Sequence, residues 1–343
     1  MVEFPSVALG NQGPPVVALG GGHGLSVTLR ALRRLTNNLT AIVGVADDGG
    51  SSGRLRTELG VPPPGDLRMA LAALCGDDAW GRTWSRVMQH RFGGTGELAG
   101  HATGNLLIAA LWEETGDVVE GLDWVAALLG ANGRVLPVAN VPLNIVATVR
   151  GLDPERPGEL SEIRGQVELE HTRCTIERLR VEPAAPAACP QAVEAIGKAE
   201  SVVLGPGSWY TSVLPHLLVP SVRSALSRAQ GQRLLVLNLD GPRGTPSRDS
   251  GQVNTEDFAT HDYLRVWGEQ FPDVRLDWVL ADPRFIDDKV ELAEATARVG
   301  ADLVLRPLAA GEPSSSRIPR HDDHLLAAAL AAVLGRGSIS AWQ

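Results

Sequence analysis

Val16-Val17-Ala18-Leu19-Gly20-Gly21-Gly22-His23-Gly24-Leu25-Ser26 and, further on, Ala41-Ile42-Val43-Gly44-Val45-Ala46-Asp47-Asp48-Gly49-Gly50-Ser51-Ser52-Gly53-Arg54 decide how this chain folds. Each couples a short β-branched apolar run to a glycine-rich loop. Leu25, Leu29, Leu32 and Leu35 fall on one helical face, so the order reads strand, loop, helix, strand, loop. Such a loop points backbone N–H groups outward. Its glycines let a phosphate approach the backbone, and the positive end of the following helix favours an anion there.

The first loop fails both familiar phosphate motifs. A dinucleotide fingerprint needs a third glycine where Leu25 stands, and neither loop holds the lysine of a P-loop. Asp47 lies where a ribose-binding acid would in a nicotinamide enzyme, but the Gly49-Gly50-Ser51-Ser52-Gly53 run after it is itself a close-approach loop, which a ribose hydrogen bond does not require. Nucleotide binding is expected, and a hydride carrier is not. The competing reading is that both loops are plain tight connections.

Outward from these loops, residues 1–14 read as a flexible lead, 15–335 as a single α/β domain and 336–343 as a flexible tail. Leu67 to Leu74 is predicted as a helix with Asp66 as its N-cap. Glu97-Leu98-Ala99-Gly100-His101-Ala102-Thr103-Gly104-Asn105 precedes a helix from Leu106 to Glu114; an N-cap explains one polar residue there, and whether His101 and Asn105 serve function or structure stays open. Residues 134–182 read as a β-rich insertion, in which Val146-Ala147-Thr148-Val149-Arg150 and Gln166-Val167-Glu168-Leu169-Glu170 alternate like strands; it suits an antiparallel flap or an oligomer contact. From Ser201-Val202-Val203-Leu204 parallel strands resume, through Leu234 to Leu239 and Leu276 to Leu280. If they join the same sheet, the loop Gly205-Pro206-Gly207-Ser208-Trp209-Tyr210-Thr211-Ser212 opens on the edge where ligands bind in open α/β sheets.

Composition sets the context. The 343 residues are 44% hydrophobic, enough for one large core. Cys75, Cys174 and Cys189 have no metal spacing and are expected to be reduced, so zinc is not expected, nor are haem and NAD. The start of the chain lacks a basic region and a long apolar core, and the run from Leu325 to Leu334 is too short to span a bilayer, so a cytoplasmic location without membrane insertion is expected. A net charge of −9 argues against a nucleic-acid partner.

The chain resembles the YvcK-type gluconeogenesis factor family. The resemblance is carried by Leu19 to Ser26, Ala46 to Arg56, Pro63-Pro64-Gly65-Asp66-Leu67-Arg68, Glu97 to His101, Gly104-Asn105 and Leu204 to Ser212, in that order. It implies a Rossmann-like, doubly wound fold, mainly parallel with the small β-rich insertion, related to 2-phospho-L-lactate transferase. It also implies binding of UDP-sugars, notably UDP-N-acetylglucosamine, and links to carbon metabolism, cell shape and wall synthesis. On this resemblance Gly20, Gly21, Gly22, His23, Gly24 and Ser26 hold diphosphate or ribose, Asp47 and Asp48 contact ribose or magnesium, and Gly205, Gly207, Ser208, Thr211 and Ser212 close the pocket. Gly49, Gly50, Ser51, Ser52, Arg54, His101, Asn105 and Asn238 complete the candidate nucleotide site, and Arg320, in a string Arg320-His321-Asp322, could supply a cation. A regulatory protein partner and a homo-oligomer are expected as well.

Two departures stand out. Where the family runs on to Pro-Gly-Glu-Thr after Asn238-Leu239, this chain reads Asp240-Gly241-Pro242-Arg243-Gly244-Thr245, and the segment through Gly251 is expected to be mobile; His23 replaces a threonine. Two classes of function follow. A ligand-sensing regulator needs nucleotide affinity and no nucleophile, and no Ser-His-Asp pattern lies beside the loops. A magnesium-dependent transferase would hold its metal with Asp48 and Asp66, which are then the catalytic candidates too, and would work by positioning and charge neutralisation.

Overall fold

The short apolar runs become strands because helices cover both sheet faces, which favours continuous Val, Leu and Ile over alternation. In the computed structural model, which describes residues 13–172, 174–239, 259–310 and 319–335, the expected strand and helix order is present. Strands β1 (Val16–Gly20) and β2 (Leu39–Val43) bracket α1 (Gly22–Leu32). Helices α2 (Gly50–Leu59), α3 (Gly65–Leu74), α4 (Ala79–Gln89), α5 (Thr103–Thr115) and α6 (Val118–Leu129) lead to β3 (Arg134–Pro137). Next come β4 (Asn144–Arg150), β5 (Leu160–Arg164), α7 (Gln166–His171), β6 (Thr175–Glu182), α8 (Pro190–Lys198) and β7 (Ser201–Leu204). A wide turn over Trp209–Val213, α9 (Leu214–Leu217) and α10 (Pro220–Arg228) precede β8 (Gln232–Val236). The described chain closes with α11 (Asp262–Gln270), β9 (Trp278–Ala281), α12 (Lys289–Arg298), β10 (Asp302–Leu305) and α13 (Asp323–Leu334).

The main sheet is parallel throughout and runs β10-β9-β8-β7-β1-β2-β3. From β1 the chain steps outward to β2 and β3, then returns to the other side of β1 and steps outward again from β7 to β10. The strand order therefore reverses between β1 and β7, and an open α/β sheet binds ligands in the crevice outside such a reversal. Leu25, Leu29 and Leu32 of α1 are buried against this sheet, with Leu35 partly buried behind them.

Strands β4, β5 and β6 form a separate antiparallel sheet, β5-β4-β6, as the flap reading expected. Two details differ from the sequence reading. Arg134–Pro137 is not part of this insertion: it pairs in parallel with β2 as the edge of the main sheet. Gln166 to Glu170 is helical rather than a strand. Gly165 turns the chain at a φ of 101°, the Asp48 carboxylate accepts from the Val167 N–H at 3.0 Å, and Leu169 is buried, so a tertiary contact overrides the alternation. The expected lead, the tail at 336–343 and the segment 240–251 lie largely or wholly outside the described residues. Among the described residues no helix is long and apolar enough to cross a membrane.

Candidate functional site

The loops after β1 and β7 meet at the reversal of strand order. A Cβ on Gly24 would overlap the Pro206 carbonyl, so a glycine is what lets α1 start against the β7 loop. The Thr28 hydroxyl ties the two together by donating to the Gly205 carbonyl at 2.9 Å. Helices α1 and α2 both begin on glycine caps, Gly21 and Gly49, which have no side chain to cap the first turn, and at α1 the Gly22 N–H is met by the Asp66 carboxylate instead. His23 is exposed there, and Ser208 and Ser212 are half-buried.

A second convergence lies beside Gly21, where a Cβ would overlap Asp66 Oδ2 and stand 3.5 Å from Ser212 Oγ. Gly65 packs as tightly: a Cβ there would overlap Ser52 Oγ and come within 2.9 Å of Asp47 Oδ2. Asp66 thus sits among the β1 loop, the β2 loop and the β7 loop. Its position corrects two expectations. Pro64, not Asp66, is the N-cap of α3, because Asp66 already lies inside the helix and is directed across to the Gly22 N–H. Its acidic neighbours are Asp47 and Glu170, whereas Asp48 turns away to cap α7 through Val167, so the structure does not support the pairing of Asp48 with Asp66 as metal ligands. Asp47 itself accepts from the Gly49 N–H at 2.9 Å. No group of three or more His, Cys, Asp or Glu side chains among the described residues is arranged as a metal site.

Burial pushes the Asp66 carboxyl up to about 7, and the Asp47 charge adds to this; the Gly22 N–H and the Arg68 guanidinium pull the other way. Glu170 is also raised, by burial first, although it accepts from Thr211 Oγ1 at 2.9 Å and from Gln166 Nε2 at 3.0 Å. Through this contact α7 links the flap to the β7 loop, while its first turn is held by the β2 loop.

Several candidates prove to be internal supports. Ser51 Oγ accepts from Asn105 Nδ2 at 3.0 Å and from the Ala102 N–H at 3.4 Å, which leaves its proton for His101 Nδ1 at 3.0 Å. All three side chains are buried, and burial together with Arg54 keeps His101 below the usual histidine range. Arg54 donates to the carbonyls of Glu97 and Ala99, holding the same loop. Ser26 bonds back to the Gly22 carbonyl at 2.9 Å. Asn238 exchanges two hydrogen bonds of 2.9 Å with the Gly207 backbone and so fixes the β7 loop. Arg320 is exposed, next to His321, whose Nε2 lies 3.2 Å from the Leu237 carbonyl just past β8.

Sequence reasoning missed Arg68, Glu170, Thr28 and Gln166. Arg68 is 3% exposed; its Nε and Nη1 have no hydrogen-bond partner, and burial with Arg91 nearby lowers it to about 10. Its place in the Gly65-Asp66-Leu67-Arg68 string was the one signal available. Glu170 could not be singled out while its segment read as a strand.

The family described as 2-phospho-L-lactate transferase CofD matches residues 16–304. A gluconeogenesis-factor protein of Mycobacterium tuberculosis (strain CDC 1551 / Oshkosh) is 46% identical over 94% of this chain and 90% of its own length. The gluconeogenesis factor of Bacillus subtilis (strain 168) is 32% identical over 94% and 99%. A UPF0052-family crystal structure from Bacillus halodurans superposes with a TM-score of 0.79 at 30% identity, covering 94% of this chain and 99% of that one.

Proposed function

The chain belongs to the CofD-related gluconeogenesis factor family, and from that premise we propose that it is a regulatory protein that binds a UDP-sugar, UDP-N-acetylglucosamine foremost, across the β1/β7 switch point. The observation that carries this reading is the contact between Gly24 and Pro206, which sets the glycine-rich start of α1 and the β7 loop side by side where the strand order reverses. The diphosphate would take the first-turn N–H groups of α1, with Ser208 and Ser212 as hydroxyl donors and Arg320 as a cation beyond β8. A regulator needs no activated nucleophile, and the Ser51 hydroxyl, the candidate with a histidine partner, has its proton and both acceptor sites committed. In this reading the protein works in the cytoplasm, as a homo-oligomer with a protein partner, and reports UDP-sugar supply to carbon metabolism, cell shape and wall synthesis.

An anion beside Asp66 requires that this carboxyl be neutralised, by its own proton or by a cation. That favours a second reading, a magnesium-dependent enzyme like 2-phospho-L-lactate transferase acting on a nucleotide diphosphate donor. The repulsion by which the Asp47 charge raises the proton affinity of Asp66 in a phosphate-binding crevice would be relieved by a divalent ion, and Asp47 and Asp66 would then hold it. The ion would neutralise charge on the donor, while the α1 N-terminus orients it.

Calorimetric titration with UDP-N-acetylglucosamine, UDP-glucose, GDP and NAD, with and without magnesium, separates the readings when the ligands are recovered by chromatography. Tight UDP-sugar binding with intact ligand is expected. Preference for GDP, or magnesium-dependent consumption of a donor, transfers the assignment to the enzyme.

A further inference from the structure

The start of α5 gathers positive charge without an acid to meet it. Its cap, Ala102, makes no side-chain bond to the first turn, and no Asp or Glu occurs in that turn, so the positive end of the helix is left uncompensated. Two arginines are nevertheless placed there. The stem of Arg68 crosses from α3 over Gly104, the second residue of α5, where a Cβ would stand 2.8 Å from Arg68 Cγ and 2.8 Å from Met88 Cε, so a glycine is what admits it. Arg91 pairs with Ala102 in an isolated antiparallel bridge, donates through Nη1 to the Gly100 carbonyl at 2.9 Å, and is exposed at the same junction. Arg68 itself is 3% exposed, its Nε and Nη1 have no hydrogen-bond partner, and Arg91 acts on its charge more strongly than Asp66 or Asp47 does. Like charges at the positive end of a helix, one of them buried with its donors unmet, cost free energy that an anion between them would recover.

We propose that Arg68, Arg91 and the first turn of α5 form a second oxyanion subsite, which takes the phosphate of a small phosphate-bearing molecule other than the sugar nucleotide. A guanidinium presents its donors as a planar fork matched to a phosphate, and a helix start adds N–H groups and the favourable end of its dipole. Buried Arg68 is a fixed donor, and exposed Arg91 leaves the subsite open to solvent. The subsite is separate from the start of α1 because Asp66 and Arg68 leave α3 on different flanks. Asp66 lies against Gly21 near Ser212, whereas the Arg68 stem lies against Gly104 and Met88. A phosphate chain running from one helix start to the other would also meet the Asp47 carboxylate, which lies beside Gly65 at the start of α3. The subsite therefore does not depend on which nucleotide the α1 loop holds.

The test is titration of the full chain with inorganic phosphate at constant ionic strength, read by calorimetry and by melting temperature, with and without saturating UDP-N-acetylglucosamine. Saturable phosphate binding that persists beside the nucleotide is expected. Arg68→Met should weaken it by about tenfold or more. The same variant should melt higher than the wild type when phosphate is absent, because an unmet buried charge gives way to an apolar side chain of similar length. Arg91→Gln should weaken phosphate binding by a smaller factor, and if Arg68→Met does not fold this exposed position carries the test. The proposal is overturned if the wild type shows no saturable phosphate binding, or if Arg68→Met, or Arg91→Gln in its place, binds phosphate as the wild type does, which would leave the anion to the start of α1. Displacement of phosphate by UDP-N-acetylglucosamine would also overturn it, by assigning the arginines to the nucleotide's own phosphates. A wild type that binds no UDP-sugar counts against the regulator reading alone, since the titration without nucleotide still decides the subsite.

Discussion

Two carboxylates at the same edge of the main sheet have opposite fates. Asp282, directly after β9, has a side chain with no exposure and accepts from Arg284 N, Nε and Nη2 and from the N–H groups of Leu308 and Ala309. Burial alone would raise it, but these donors prevail and hold it well below the usual carboxylate range. Asp66, between the loops of β1, β2 and β7, is pushed up to about 7 by burial and by Asp47. The β9–β10 end satisfies its charge completely. The β1–β2–β7 end leaves charge and buried donors, among them Arg68 Nε and Nη1, without full partners. Groups satisfied in the fold are structural, whereas groups left unsatisfied are where a ligand can still gain interaction energy.

The largest way to break this contrast is Asp282→Ala. Arg284 and two backbone N–H groups lose their acceptor, and the expected loss is about 3–5 kcal/mol of stability, seen as a lowered thermal midpoint at pH 7. In the wild type this contribution is present above the ordinary carboxylate range and disappears only as the pH falls through the depressed folded value.

Asp66→Asn should act in the opposite direction. A carboxyl raised in the folded state contributes no penalty at low pH and an increasing one as the pH rises from about 4 to about 7. The asparagine should therefore stabilise the ligand-free protein at pH 8, by on the order of 1–3 kcal/mol, and flatten that part of its stability curve. If urea midpoints at pH 8 show it less stable, Asp66 is a satisfied structural acid like Asp282. A related expectation concerns binding: without magnesium, UDP-sugar affinity measured by calorimetry should weaken as the pH rises through about 7, when Asp66 ionises beside the diphosphate.

Smaller effects sharpen the contrast within the glycine-loop edge. Ser51→Ala leaves Asn105, the Ala102 N–H and His101 without their shared partner and should cost about 1–3 kcal/mol of stability. Ser212→Ala, beside Gly21, should leave the melting temperature unchanged and weaken UDP-sugar binding by about 1 kcal/mol, roughly fivefold in calorimetry. If the two variants exchange these outcomes, Ser51 is the ligand group and Ser212 the support.

Much of the fold was legible because β-branched runs followed by glycines encode buried strands and tight loops locally. Five of the seven parallel strands and the β-rich insertion followed from that rhythm, whereas β3, read as part of the insertion, and β10 did not. The readings that differed depended on partners distant in sequence. Gln166 to Glu170 alternates like a strand but is helical because Asp48 caps it. His101 and Asn105 occupy a helix entrance, yet both are turned onto Ser51. A polar residue near a glycine loop reads the same whether it faces a ligand or braces the loop.

The sequence by itself determined the fold class, the glycine loops that an anion can approach and membership of the gluconeogenesis factor family, since strand period, turn residues and long motif strings are local properties of the chain. Only the tertiary structure decided which acid accompanies Asp66. Asp47 and Asp48 are neighbours with the same side chain, and the β2 loop sends Asp48 to the flap helix while Asp47 stays beside Gly65 and Asp66. The direction a side chain takes, and the desolvation that follows, is fixed by packing between segments far apart in the chain, which no local pattern records.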